Sequence, residues 1–256
     1  MGATKQVLCL ITGPSGSGKT SIALELKKRL LGRLFLLSNK LDGKRPASVV
    51  VIHQDQYFTK PFRPYKDRID DSYENSSGID WDSLLADVRL RLLGAPEDET
   101  EENQPGWKNN DEVDTGINIV IVEGHLLGDA AALFRKRFLV HGNVGIVAVL
   151  LEGCSQEICK RRRLERKKNR SEDEKKELAN YIDFFVWPSF LRYGIHAMDT
   201  LRSELVGVEM TNGYNTDAHG SRIHRIVLLE IRNAEDASLE TNIEKISNEI
   251  HKIIQN

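Results

Sequence analysis

The stretch Gly13-Pro14-Ser15-Gly16-Ser17-Gly18-Lys19-Thr20 fits the pattern G-x-x-x-x-G-K-S/T at every fixed position. Residues of these types at this spacing do phosphate chemistry. Glycine lets the backbone curl so that successive N–H groups point inward, and a helix that follows adds the partial positive charge of its N-terminus. Lys19 can then reach terminal phosphates, and the Thr20 hydroxyl can hold the Mg²⁺ that bridges them. The candidate nucleotide-binding residues are therefore Gly13, Ser15, Gly16, Ser17, Gly18, Lys19 and Thr20. The alternative is a chance glycine loop, and the flanks speak against it. Val7 to Ile11 reads as a buried strand, while Ile22, Leu24, Leu26, Leu30 and Leu31 fall among Glu25, Lys27, Lys28 and Arg29 as on an amphipathic helix. The setting implies binding of a nucleoside triphosphate.

Three further features would turn binding into phosphoryl transfer onto a hydroxyl compound. Asp55 follows the β-branched run Ser48 to His53, where a base can take a hydroxyl proton. Glu123 ends a third apolar run and can hold Mg²⁺ directly or through water. Lys160 to Arg163, Arg166, Lys167, Lys168 and Arg170 supply cations for a transition state whose charge is spread over oxygens. Each has a blander reading as well. An Asp after a strand is often a turn residue, a Glu can cap a turn, and Lys/Arg runs are usually solvated helix faces. Asn39-Lys40-x-Asp42 imitates a guanine-reading signature, but it comes too early in the chain. The D-x-x-G at Asp217–Gly220 stands in the wrong order and lacks a preceding strand.

The elements that must position these residues alternate strand with helix. Strands are expected at 7–11, 48–53, 117–122, 144–150 and 226–231. Helices are expected after Thr20, from Asp82, from Asp129 to Phe138, from Ser155 through the cationic run and on to Leu178, and over a C-terminal segment with Ile243, Ile246, Ile250 and Ile253. Tyr181 to Met198 reads as helix interrupted at Trp187-Pro188, since proline lacks the N–H a helix interior needs. Alternation of this kind predicts an α/β fold, a parallel sheet covered on both faces by helices. The 256 residues, 40% hydrophobic, suit one domain, with surface insertions about 38–47 and 96–116. A net charge of -2 gives no support to a nucleic-acid or membrane-surface partner. No run is apolar enough for a membrane span and no signal peptide is expected. Cys9, Cys154 and Cys159 show no metal spacing and read as reduced thiols of a cytoplasmic or nuclear protein.

With these residues in hand, the sequence resembles the nicotinamide riboside kinases, in the uridine-kinase-like branch of P-loop kinases. The resemblance runs through Gly13–Thr20, Val51–Phe58, Trp81-Asp82, Ile119–Leu127, Cys159–Arg163, Tyr181–Asp183 and Val186–Pro188. It implies the three-layer P-loop NTPase fold of nucleoside and nucleotide kinases, with a mobile Arg-rich lid about 166–180. It also implies ATP as co-substrate with Mg²⁺, a small nucleoside acceptor, and a monomer or homodimer. By resemblance Asp55 matches the general base, and Lys19 and Arg163 complete the catalytic set. Asp82 matches the carboxylate on the ribose hydroxyls, and Trp81 an aromatic stacked on the cationic nicotinamide ring, as a cation–π contact favours; the alternative for Trp81 is a hydrophobic staple packing the start of the helix at 82–93. Arg166 matches a lid arginine at the nucleotide, Arg163 an arginine near ribose and phosphates, and Thr20 and Glu123 the Mg²⁺ neighbourhood.

The chain departs from that pattern in places. Gln56 stands where the family often has a second Asp, and the lid after Arg166 is longer, more charged and without an aromatic of its own. A uridine or cytidine kinase, or another small-metabolite kinase on the same scaffold, is the nearest alternative. Against it, Trp81-Asp82 lacks the following His-Pro of the uridine branch. A nucleotide-binding regulator without turnover is a third reading, opposed by intact Lys19, Thr20, Asp55 and Arg163. His219 and His224 have no Cys partners and suggest no metal site.

Overall fold

The computed structural model describes residues 5–38, 48–94, 116–138, 144–211, 226–233 and 238–255. The strands β1 (Lys5–Thr12), β2 (Ser48–His53), β3 (Ile117–Gly124), β4 (Val144–Glu152) and β5 (Ile226–Arg232) pair in parallel, in the spatial order β2-β3-β1-β4-β5. The central strand shows why the sheet has two cores. Leu8 and Leu10 of β1 point to one face, with Val120 and Val122 of β3 and Ile146, Ala148 and Leu150 of β4. Val7, Cys9 and Ile11 point to the other, with Ile119, Ile121, Val147, Val149 and Leu151. Continuous apolar runs of this kind suit only a sheet buried on both faces.

Helices α1 (Lys19–Ser38) and α8 (Leu239–Gln255) cover one face through Ile22, Leu26, Leu30, Ile243, Ile246 and Ile250. On α8 it is Ile254 that joins this core fully, with Ile253 partly buried beside it. The other face carries α2 (Trp81–Leu93), α3 (Ala131–Phe138) and α7 (Ile195–Thr211), with Leu84, Leu85, Val88, Phe134 and Leu201 inward. Each such side chain contributes roughly 1.5–3 kcal/mol relative to exposure. Asp80 caps α2 by accepting from the Ser83 N–H, and Gly94 ends it in the left-handed conformation at φ 72°.

Two expectations are corrected. The cationic helix does not run on to Leu178. It ends as α4 (Gln156–Glu165), and α5 (Glu172–Tyr181) starts afresh with a capping box, Ser171 to the Glu174 N–H and Glu174 back to the Ser171 N–H. Nor does Pro188 interrupt the arm that follows. A π-helical turn at Ile182–Val186, the short α6 (Trp187–Ser189) and a second π turn at Phe190–Gly194 carry the chain helically into α7. The wide turn places the Trp187 N–H on the Ile182 carbonyl and lets the proline ring through without a break. The expected insertions, the Asn39–Asp42 and Asp217–Gly220 motifs, His219 and His224 lie outside the described residues, save Ser38 and Gly116 at the insertions' edges.

Candidate active site

The glycine loop turns from the end of β1 into α1, at the carboxyl edge of the sheet where ligands of open parallel sheets sit. Gly16 holds φ at +91°, and a Cβ there would stand 2.5 Å from the Cys159 carbonyl oxygen of α4, so the loop is packed against that helix and admits no side chain. Gly18 is also left-handed, at φ +94°. The Ser17 N–H donates to the Pro14 carbonyl at 3.0 Å, while the Ser17 hydroxyl is buried with no hydrogen-bond partner among the described residues. Ser15 lies half-buried in the same loop. Asn233, just past β5, braces the loop by donating from Nδ2 to the Ser17 carbonyl.

Lys19 opens α1 and folds back over the loop. Its Nζ donates to the Gly13 and Pro14 carbonyls at 3.0 and 2.9 Å. Burial pulls the ammonium below its ordinary value, and the charges of Glu123 and Asp55 oppose that pull. One helical position on, Thr20 donates from Oγ1 to Glu123 Oε1 at 2.9 Å. The same carboxylate oxygen takes His53 Nδ1 at 2.7 Å, because the parallel register sets His53 directly beside Glu123 at the ends of β2 and β3. Burial alone would raise the Glu123 carboxyl. The His53 hydrogen bond, the Lys19 charge and the Thr20 hydroxyl outweigh it and hold the group below its ordinary range. The bond to Glu123 in turn raises His53. The Thr20 proton is directed at Glu123, so the hydroxyl lone pairs stay available to a cation. Hydroxyl and carboxylate are the hard oxygen donors Mg²⁺ takes, with phosphate and water completing its shell.

Asp55 stands exposed in the first turn of a 3₁₀ segment, Gln54–Tyr57, directly after β2. Its charge acts on Lys19, His53 and His125, and it follows β2 at the same carboxyl edge of the sheet as the phosphate loop. Arg163 comes in from α4, its charge felt at Lys19, and its Nη1 is buried without a hydrogen-bond partner among the described residues. Arg166 follows the last residue of α4, exposed, within electrostatic reach of His53. Lys19, Thr20, Asp55, Glu123, Arg163 and Arg166 therefore converge on one edge.

Trp81 and Asp82 are placed differently. The Trp81 indole packs against the α2 face of the core and a small cluster of Ile79, Leu126 and Ala197, and its N–H donates to the Ser76 carbonyl and hydroxyl at 3.2 and 3.1 Å. Asp82 is exposed on the first turn of α2 and pairs with Arg137 of α3 at 3.3 Å.

Several residues of this edge were not foreseen from sequence: His53, Glu74, His125, Asn233 and an aromatic box around Arg68. The Arg68 guanidinium lies 4.6–5.1 Å from the ring centroids of Tyr65, Tyr73, Phe62 and Tyr181. Tyr181, at the end of α5, supplies an aromatic directly beside the stretch 166–180 expected to form a lid. Tyr181 donates its hydroxyl to the buried Glu74 at 3.0 Å, and Glu74 lies 3.7 Å from His125 Nε2. Burial lowers His125, so it is neutral there. These contacts run from the box to His125, which lies within electrostatic reach of Asp55. The interleaving of Phe62, Tyr65, Arg68 and Tyr73 was the available signal. Asp183 ties α4 to the helical arm, accepting from Gln156 at 2.9 Å and from Lys160.

A parallel five-stranded sheet flanked by helices, with this glycine loop between its central strand and α1, defines the P-loop NTPase fold. Residues 9–183 match the family model described as an AAA domain, and the chain belongs to that family. A uridine kinase of Leuconostoc citreum (strain KM20) is 28% identical over 126 residues, 48% of this chain and 54% of the relative, so the match spans about half of each. Among solved structures, a gluconokinase from Sinorhizobium meliloti 1021 aligns over 99% of this chain and 96% of its own at 15% identity, with a TM-score of 0.40. No helix among the described residues is long and apolar enough to cross a membrane.

Proposed function

We propose that the protein is an ATP-dependent kinase that phosphorylates the 5′-hydroxyl of a nucleoside, with nicotinamide riboside as substrate and its mononucleotide as product. The observation that carries the kinase reading is the meeting of a phosphate loop, a carboxylate and an arginine with no hydrogen-bond partner at Nη1 among the described residues, namely Lys19, Asp55 and Arg163, on one sheet edge. A loop alone holds a nucleotide. Asp55 adds an exposed carboxylate that can orient the acceptor hydroxyl and receive its proton as the oxygen attacks the terminal phosphorus. Lys19 would leave the loop carbonyls for phosphate oxygens, and Arg163 and Arg166 would meet the charge spread over the transferring group. Thr20 and Glu123 would hold Mg²⁺, which would supply positive charge against the phosphates. The relative that is itself a uridine kinase supports a small hydroxyl acceptor.

The choice of a cationic ring is supported by the aromatic box. Four rings beside the Asp55 cluster already surround a guanidinium, and a surface that favours one planar cation favours another. In this reading Asp82 exchanges its exposed partner Arg137 for ribose hydroxyls, and Trp81 borders the base while it anchors α2. The stretch 166–180 serves as the lid, its far end tied to the box through Tyr181. The test is a panel of nucleosides with the purified protein and MgATP, repeated with Trp81→Ala and Asp82→Ala. Nicotinamide riboside should give the highest kcat/KM. Trp81→Ala should harm it more than uridine, and Asp82→Ala should harm both alike. Preference for a neutral nucleoside would reassign the substrate, and ATP binding with no acceptor phosphorylated would favour the regulator.

A further inference from the structure

We infer that Cys154 and Cys159 form an oxidisable dithiol, a modification site for hydroperoxides that is wired to the phosphate loop. Cys154 precedes Ser155, the N-cap of α4, and Cys159 is the fourth residue of that helix. These are the two positions that face each other across a helix start. The two thiols act on one another, and the interaction lowers Cys154 while it raises Cys159. Arg162 Nη1 donates to the Cys154 sulfur at 3.3 Å, and the Cys154 thiol itself donates to the Asn233 carbonyl at 2.7 Å. Cys154 also lines a surface cleft with Pro14, Gly153, Phe190 and Met198, through which a small oxidant can approach.

The surroundings make the two sulfurs unequal. The Cys159 hydrogen bond, then the Arg162 and Lys19 charges, outweigh burial and bring the Cys154 thiol down to about 7. The same bond and burial push Cys159 up. Once the Cys154 proton leaves its bond to the Asn233 carbonyl, the pair supplies a thiolate nucleophile beside a protonated resolving thiol. The Cys154 thiolate attacks one oxygen of a hydroperoxide, whose O–O bond breaks. The distal oxygen leaves as alkoxide or hydroxide and takes a proton, and Cys154 becomes a sulfenic acid. The Cys159 sulfur then forms the S–S bond and expels the sulfenic oxygen as water, which takes the Cys159 proton. Two thiols and one hydroperoxide give one disulfide, water and the corresponding alcohol, or a second water when the oxidant is hydrogen peroxide.

The phosphate loop rests on these same atoms. The Cys159 carbonyl is what fills the space over Gly16. Asn233, which receives the Cys154 thiol, is also what braces the Ser17 carbonyl. A disulfide draws the first turn of α4 toward Cys154 and removes the bond to Asn233, so the loop loses two supports at once. Binding linkage makes the effect reciprocal: if oxidation weakens nucleotide binding, bound nucleotide must oppose oxidation by the same factor.

The test needs no phosphoryl transfer and is therefore independent of the proposed substrate. The full-length protein is treated with hydrogen peroxide, with and without MgATP, and followed by intact mass, non-reducing peptide mapping and titration with a fluorescent ATP analogue. The treated protein should lose the mass of two hydrogens, link Cys154 to Cys159, and bind the analogue about 5–150-fold more weakly, the usual range of coupling between sites. Dithiothreitol should restore affinity, and MgATP should slow the oxidation. Cys9 is the internal control, buried in β1 with its thiol pushed up to about 12. Cys159→Ser should stop at a Cys154 sulfenic acid that reacts with dimedone, and Cys154→Ser should show neither product. Both thiols remaining free to alkylation after peroxide would overturn the inference, and so would a Cys154–Cys159 disulfide with unchanged nucleotide affinity.

Discussion

The phosphate-loop end of this sheet edge and the aromatic box around Arg68, which we propose as its acceptor end, are built by different means. At the phosphate end one short segment does most of the work. Gly13 to Thr20 supplies loop, helix start, lysine and hydroxyl within one turn of chain, and β3 brings Glu123 to it through a fixed strand register. At the acceptor end nothing is contiguous. Phe62, Tyr65, Arg68, Tyr73 and Glu74 come from 3₁₀ turns and loops, and Tyr181 comes from the end of α5. The first end is held by backbone geometry, which few substitutions can preserve. The second is held by side-chain contacts, each replaceable. A scaffold of this kind keeps its phosphate chemistry while its acceptor can change.

That contrast predicts that the largest losses come from single groups at the reacting edge. Asp55→Asn keeps the shape of an exposed side chain and removes its basicity, so kcat should fall by about 10²–10⁴-fold while ATP affinity changes little. Steady-state kinetics with a parallel ATP titration decide it, and a normal kcat would return Asp55 to a turn residue. Lys19→Ala should come next, with turnover lower by about 10²–10³-fold, the cost of losing one preorganised charge on the transition state. The fold should survive, because Lys19 meets loop carbonyls rather than the apolar core. A soluble Lys19→Ala protein with near-normal turnover would sink the role of this loop.

The same contrast explains what the sequence disclosed. Strand, glycine loop and helix were legible because their signals are local: apolar runs, a fixed motif and 3.6-residue spacing. The break between α4 and α5 was legible too, in the unused Ser171-x-x-Glu174 capping signature. His53 was not, since its meaning depends on β2 lying next to β3, and strand order is set by the packing of the whole sheet. The Arg68 box was hidden for a similar reason. Four of its residues fall in a proline-bearing polar loop and the fifth lies over a hundred positions later, so no local period marks it. Trp81 shows the opposite hazard. A motif match drew it toward the ligand, while its indole also packs the start of α2.

A smaller effect should mark the acceptor end. Arg68→Ala removes a cation from four rings, an interaction of about 0.5–2 kcal/mol, and leaves the sheet untouched. Melting should shift only slightly, but proteolysis across 166–181 should quicken, because Tyr181 ties the end of α5 to the box. Unchanged cutting would show that Leu178 and Phe185 hold α5 without it.

The smallest effect belongs to the phosphate end and concerns pH. The His53–Glu123 contact links a base held above its ordinary 6.5 to an acid held below its ordinary 4.5. A histidine raised in the fold stabilises fully below its unfolded value, and that contribution fades as pH rises through the folded value. A carboxylate lowered in the fold stabilises above its unfolded value, and loses that contribution as pH falls through the folded one. Both contributions are complete between 4.5 and 6.5, and His53 governs the alkaline side. His53→Asn keeps a donor for Glu123 but cannot carry the charge. The wild-type melting temperature should therefore decline relative to that of His53→Asn as pH rises from 6.5 through the folded value of His53, a difference that closes once His53 is neutral. Melting curves of both proteins over this interval measure it directly. A constant offset between the two at every pH would mean that His53 serves Glu123 as a neutral donor, and the phosphate end would then owe its electrostatics to Lys19 and Thr20 alone.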